Sequence, residues 1–420
     1  MKILVCNKFY RPVGGPETIV LDTVRELETL GHDVIPFAMA HPDNADSKYA
    51  EYFVPNVDYN AEGGKGPGKQ LREAANIIYS REARRNIEKL IADTRPDLAH
   101  VHNIYHQLSP SILAPIKEAG IPTILTLHDY KLLCANMLLL THGRVCEKCA
   151  GRKFHHAVLN KCVKDSYGSS LVCCIEETLH RALKIYERNV DLFVSPSRFL
   201  KGKLVEHGRL KEDQIAVLPN YADTQSLVPD FQPGAYGLFV GHLSRHKGVM
   251  TLLEACKEIP DLEVRFAGRG PLLEEAEQFR EREGLTKVKF VGFQTGSDLA
   301  RLFREARFVV LPSECNENCP MAILEAFAYG KPVIASRIGG IPELIDEGSD
   351  GLLFEPGDSH ELASHMKTLI SKPELAGEMG RWGRAKVEEH YSIRTYIESL
   401  LGLYSRVLGS RSPGVGAING

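Results

Sequence analysis

No apolar run in the 420-residue chain approaches the roughly 18 residues needed to span a bilayer. The nearest, Leu132 to Leu140, is short and broken by Asn136. The opening Met1-Lys2-Ile3-Leu4-Val5-Cys6-Asn7 reads as a strand, interrupted too soon for a signal peptide. There is no surplus of positive charge: 51 Lys and Arg stand against 54 Asp and Glu, a net of −3, which argues against nucleic acid as the main partner. The dinucleotide fingerprint Gly-x-Gly-x-x-Gly is missing from the first strand–turn–helix unit, where Gly14-Gly15 stands instead, so a dehydrogenase is disfavoured. Ten cysteines without a secretion signal imply reduced thiols in a cytoplasmic protein.

At this length, with 43% hydrophobic residues, the chain suits two globular domains. The first half alternates short apolar runs with helical periodicity. Ile3–Val5 precedes an amphipathic helix to Leu30, with Ile19, Val20, Val24 and Leu27 on one face. Residues 60–69 read as a flexible loop and roughly 71–92 as one charged helix. Strands ending in His102 and His128 follow, then Asp191–Ser197 and Ile215–Tyr221. The second half is cleaner. Strands at about 237–241, 262–267, 287–291, 307–311, 332–335 and 351–354 alternate with helices, the pattern of a doubly wound parallel sheet. The Pro- and Gly-rich Pro229–Gly237 marks the boundary. We therefore expect domains at 1–228 and 229–395, an insertion at 131–180, an amphipathic helix at 396–408 and a frayed tail at 409–420.

One stretch carries more than fold information. It reads Ser313-Glu314-Cys315-Asn316-Glu317-Asn318-Cys319-Pro320-Met321-Ala322-Ile323-Leu324-Glu325, then runs through Gly330-Lys331-Pro332 to Gly339-Gly340-Ile341-Pro342-Glu343. Pro320 suits a helix start, and Gly330 a left-handed cap. Glu317 and Glu325 would lie about 12 Å apart along a helix, too far to share a proton but able to hold the two ends of an extended ligand. The N–H groups of Asn318 to Ala322 suit phosphate or sugar oxygens. For the pair taken alone, a capping acid and a solvated glutamate is the plain alternative. Farther upstream, Gly241-His242-Leu243-Ser244-Arg245-His246-Lys247-Gly248 joins a strand to a helix and offers a guanidinium and an ammonium for a diphosphate.

The frame Ser-Glu-x-x-Glu-Asn-x-Pro-Met-x-Ile-Leu-Glu-Ala-Phe-Ala-x-Gly-Lys-Pro-Val, with its Gly-Gly-Ile-Pro-Glu sequel, resembles the signature of family 4 retaining glycosyltransferases. The resemblance is close over the second half and loose over the first. It implies the α/β GT-B fold: two Rossmann-like, doubly wound domains facing across a cleft, with the last helix crossing back to the first domain. It implies transfer of a sugar from a UDP- or GDP-sugar to a saccharide or lipid-linked acceptor, with retention, in cell-surface polysaccharide synthesis. The chain has no Asp-x-Asp, which fits GT-B enzymes; they work without the divalent metal of GT-A enzymes and need no cofactor. By the same resemblance, Glu325 holds the ribose hydroxyls. Glu317 and the backbone of Asn318, Cys319, Pro320, Met321 and Ala322 hold the donor sugar. His128 contacts that sugar from the other domain, Gly15 lines the cleft, and Lys247 clamps the diphosphate. Where the family's clamp has arginine this chain has His242, so Arg245 is the candidate to replace it. His102 and His106 are weaker candidates than His128. A sugar-nucleotide epimerase of the same fold and a non-catalytic nucleotide-sugar-binding protein remain the alternatives.

The insertion contains Cys134, Cys146, Cys149 and Cys162 as C-x11-C-x2-C-x12-C, followed by Cys173-Cys174. Four thiolates can hold a structural zinc tetrahedrally; a loop of reduced cysteines, or part of the acceptor site, are the other readings. Lys153, His155, His156, Lys161 and Lys164 make the insertion basic and open to contact with the anionic inner face of a membrane.

Overall fold

The short aliphatic runs of the first half become strands because they are buried on both faces and carry β-branched residues. The computed structural model describes residues 1–57 and 67–409. The strands are β1 (Lys2–Cys6), β2 (Asp33–Phe37), β3 (Leu98–Val101), β4 (Thr123–Thr126), a small hairpin of β5 (Leu140–Thr141) and β6 (Arg144–Val145), then β7 (Leu192–Ser195) and β8 (Ile215–Val217). Apart from the hairpin they form one parallel sheet in the order β2-β1-β3-β4-β7-β8. The second half gives β9 (Tyr236–Val240), β10 (Glu263–Ala267), β11 (Val288–Gly292), β12 (Ala306–Leu311), β13 (Val333–Ser336) and β14 (Gly351–Phe354). These are also all parallel, ordered β11-β10-β9-β12-β13-β14.

Both sheets reverse their direction of winding beside their first strand, between β1 and β3 and between β9 and β12. In such sheets the crevice outside the carboxyl ends of the strands at that point receives the ligand. The loops that leave these strands contain Gly14-Gly15, His102, Gly241–Gly248 and Ser313–Pro320. Topology alone thus gathers the sequence motifs at two facing edges.

Three expectations need correction. The charged segment is two helices, Pro67–Ile78 and Arg81–Thr94, because the Ser80 hydroxyl accepts from the Ala83 N–H and starts the second. Residues 67–69, read as part of a loop, are helical, while the rest of that loop lies outside the described residues. The last helix is longer than expected, Ile393–Gly409; the tail from 410 onward lies outside the described residues. This helix lays Ile393, Tyr396, Ile397, Leu400, Tyr404 and Val407 into the core formed by β1 and the helix Gly15–Thr29. The Tyr404 hydroxyl lies 2.7 Å from Nδ1 of buried His100 on β3.

That contact yields a test. Tyr404→Phe leaves the ring packing intact but strands His100 Nδ1 inside the core, which should cost about 1–3 kcal/mol. Urea unfolding should show a lower midpoint with an unchanged slope.

Candidate functional site

The site is built from two loops of the second sheet that lock together. The loop after β9 ends in Gly248, whose backbone is left-handed (φ +71°); a Cβ there would stand 1.6 Å from the Pro312 carbonyl oxygen. Glycine therefore lets this loop lie flat on the one that leaves β12. The approach brings the Lys247 ammonium onto the Glu317 carboxylate, which also accepts from the Ser313 hydroxyl at 2.7 Å. Burial by itself would raise the Glu317 pKa; the Lys247 cation and the Ser313 hydroxyl outweigh it and hold the carboxyl below its usual range. Lys247 is raised for the reciprocal reason, Glu317 outweighing desolvation. The pair is therefore fully charged at neutral pH.

Behind it, the Gly340 N–H donates to the Glu317 carbonyl at 2.7 Å. A Cβ on Gly340 would stand 2.0 Å from the Asn318 oxygen. The two glycines form the backing against which the Glu317 loop rests.

Glu325 follows on the helix Met321–Ala328. No described residue hydrogen-bonds or ion-pairs its carboxylate, and burial raises its pKa from 4.5 to about 7. An unpaired, largely desolvated acid one turn into a cleft helix is an open ligand position. The first N–H groups of the same helix have no intrahelical acceptor.

The other wall comes from the first domain. His128 follows β4; burial, then the Lys8 cation, lower its pKa to about 4, so the ring is neutral. Its Nε2 lies 3.0 Å from Nδ1 of His102, whose ring packs in turn, tilted by 38°, against that of His100. Asn318 crosses the cleft to donate to the His128 carbonyl at 3.2 Å. Gly15, at the start of Gly15–Thr29, faces Met321: a Cβ there would stand 3.4 Å from Met321 Cγ. Cys319 presents its carbonyl to the Asn220 amide at 2.8 Å. The structure thus gathers His128, Gly15, Asn318, Met321, Glu317 and Lys247 around one cleft.

Arg245 does not join them. Its guanidinium pairs with Glu275 at 2.5 Å on the exposed side, because its loop turns Lys247 inward two residues later. The nearer cationic neighbours of His242 are Lys247 and Arg269, which follow desolvation in lowering its pKa. His106 is also elsewhere, 3.2 Å from both Lys131 Nζ and Glu176.

Several contributors were not foreseen. Asp129, beside His128, is partly buried and its pKa is raised to about 6 by desolvation. Glu343 accepts from the backbone N–H groups of Arg198 and Phe199 at 2.7 and 2.6 Å, capping a first-domain helix from the second domain. Its place in the Gly-Gly-Ile-Pro-Glu run was the available signal, but only the fold shows which helix it meets.

In the insertion, the Cys134 thiol donates to the Asn136 side-chain oxygen at 3.0 Å, and Cys134, Cys146 and Cys162 lie close enough to act electrostatically on Cys149. Among the described residues, the two clusters whose three ligand atoms lie within 4.8 Å of one another are His106–Cys173–Glu176 and Glu147–Glu206–His207. Each already pairs with an ammonium, Lys131 and Lys203 respectively.

Sequence comparison agrees with this layout on both halves. A family profile described as "Glycosyltransferase Family 4" matches residues 13–163, and one described as "Glycosyl transferases group 1" matches 231–386. The chain belongs to glycosyltransferase family 4. An uncharacterised glycosyltransferase of Methanocaldococcus jannaschii is 26% identical over 386 residues, covering 91% of this chain and 92% of that one. The O-antigen chain mannosyltransferase C of Escherichia coli is 32% identical over 212 residues, 48% of this chain and 57% of the relative. The crystal structure of Anabaena HepE in complex with UDP and glucose superposes with a TM-score of 0.68 at 20% identity, covering 96% of this family 4 glycosyltransferase and 99% of HepE. The fold is GT-B.

Glu325 provides a pH test. An acid whose folded-state pKa lies above its unfolded value is destabilising when ionised, so stability should fall as pH rises from about 4.5 to about 7. Glu325→Gln abolishes that loss. It should be about 1–3 kcal/mol more stable than wild type at pH 8 and nearly equal at pH 4.5, read by urea unfolding.

Proposed function

We propose that this protein is a retaining hexosyltransferase that takes its sugar from a UDP- or GDP-sugar and passes it to a saccharide or lipid-linked acceptor in glycan synthesis. The observation that carries the reading is the pairing of an open acid with a charged clamp. Among the described residues Glu325 has no side-chain partner, and Lys247–Glu317 stands at the other end of the same segment. The HepE structure, solved with UDP and glucose, supports a uridine donor as the first to try.

In this reading Glu325 accepts the ribose hydroxyls, which satisfy its stranded oxygens. Lys247 leaves Glu317 for the diphosphate, and Glu317 is released to accept from sugar hydroxyls. Breaking the anomeric C–O bond leaves negative charge on the diphosphate. Lys247 and the N–H groups at the start of Met321–Ala328 are fixed donors for it, and preorganised donors of this kind are usually the largest catalytic contribution. Arg245 could add to them only after leaving Glu275. Neutral His128, its ring held by His102, offers one hydrogen bond to the sugar from the opposite wall. The acceptor hydroxyl attacks from the face the leaving group vacates. Its proton passes to the departing phosphate oxygen, so configuration is retained without a protein nucleophile. The reaction is read as metal-independent, and closure of the cleft limits hydrolysis.

The test is a thermal-shift titration with UDP-, GDP- and ADP-sugars, repeated with EDTA. At about 100 times its dissociation constant the true donor should add roughly 2.7 kcal/mol. Glu325→Ala should weaken that donor about tenfold or more, and Lys247→Ala should lower turnover by about 100-fold or more. Undiminished donor affinity in Glu325→Ala would remove the ribose role. Conversion of donor without acceptor would instead favour the epimerase.

A further inference from the structure

The helix Tyr167–Ala182 is folded inside out. Its charged residues face inward: Glu176, Glu177, His180 and Arg181 are all buried. Glu176 and Glu177 meet the fully buried Lys131 ammonium at 2.7 and 2.9 Å, and the His180 ring bonds the Ile78 carbonyl at 2.8 Å. The outward face is apolar. Tyr167, Leu171, Ile175 and Leu179 are 60, 49, 41 and 41% exposed, and Leu183, the next in the series, is 55% exposed. Residues four apart are neighbours along a helix surface, so these five form a continuous ridge that spans roughly 24 Å of the axis while winding gradually around it. No charged residue of this helix is exposed. A soluble helix shows the reverse arrangement, and an exposed apolar strip of this size marks an interaction surface.

The fringe of the stripe identifies the partner. Lys161 stands 4.6 Å over the Tyr167 ring. Arg152, Lys153 and Lys164 before the helix, and Lys184 and Arg188 after it, are exposed; from 144 to 188 the one exposed acid is Asp165. This cationic surplus is local, since the whole chain carries −3. The neighbouring helix His155–Leu159 adds Leu159, 67% exposed. A second copy would bring two cationic fringes together, which like-charge repulsion disfavours. An apolar strip with an aromatic end and a lysine border matches the boundary between acyl chains and anionic headgroups.

We infer that this face docks on an anionic lipid bilayer, with the leucine stripe in the interface and the lysines on the headgroups. The buried face of the same helix holds Lys131, three residues from His128, so docking sets the acceptor side of the cleft at the membrane surface. The inference does not depend on which nucleotide-sugar is used.

Co-sedimentation with vesicles tests it, using phosphatidylcholine alone and phosphatidylcholine with 30% phosphatidylglycerol as an order-of-magnitude anionic fraction. Wild type should pellet with the anionic vesicles, be released in part by high salt, and stay in solution with neutral ones. The triple variant Leu171→Ser, Ile175→Ser, Leu179→Ser should lose binding about tenfold or more, as should Lys161→Glu with Lys164→Glu. Both variants should keep the wild-type melting temperature and donor-induced shift, because the substituted side chains are exposed. Wild type that ignores anionic vesicles, or a triple variant that binds as well as wild type, would overturn the inference. So would a wild-type dimer, by light scattering, that the triple variant converts to monomer without any vesicle binding.

Discussion

An ammonium and a carboxylate from two different loops hold the cleft of this protein in shape. A buried ion pair is favourable only where its remaining hydrogen-bonding capacity is met and its geometry is fixed. Lys247 and Glu317 meet both conditions, with the Ser313 hydroxyl as a third partner and glycine at the points of closest backbone approach. The loops after β9, β12 and β13 are consequently one unit. A ligand anion that draws Lys247 away must replace what Glu317 loses, so donor binding and rearrangement of the sugar subsite are coupled by charge alone.

The facing wall depends on a different device, a row of neutral imidazoles. Tyr404 fixes His100 from the last helix of the chain, the rings of His100 and His102 pack at a tilt, and His102 meets His128. Buried imidazoles stay uncharged because desolvation outweighs every other influence on them. The crossing of the final helix onto the first sheet is therefore more than a strap. It seats the ring system that lines the cleft, while Asn318 and Glu343 tie the second domain to the first with hydrogen bonds to backbone groups.

The insertion shows how far a buried charge can redirect a helix. Lys131 lies in the core beside Tyr105, and desolvation of its ammonium demands acids. Glu176 and Glu177 supply them, and satisfying that demand turns the leucines of the same helix to the outside. Core electrostatics and surface chemistry are thus two faces of a single constraint.

The architecture was readable because parallel strands buried on both faces are short aliphatic runs, and each second-half strand lies within about a residue of its expected place. Glu317, Glu325 and Lys247 were readable for a related reason: they sit in local strand–loop–helix frames whose cap and turn residues are themselves local. The break at Ser80 escaped notice because a hydroxyl cap is a weak signal within a continuous helical period. The direction of Arg245, the backing role of Gly339-Gly340, the capping reach of Glu343 and the inverted helix were all beyond a linear reading. Each depends on what stands across from the residue. The sequence by itself determined the alternation of strand and helix, the two sheets and the loops that bear the chemistry, because those follow from periodicity and backbone stereochemistry. Only the tertiary structure decided which charges pair and which face of a helix meets water, because those are settled by desolvation among groups far apart in the chain.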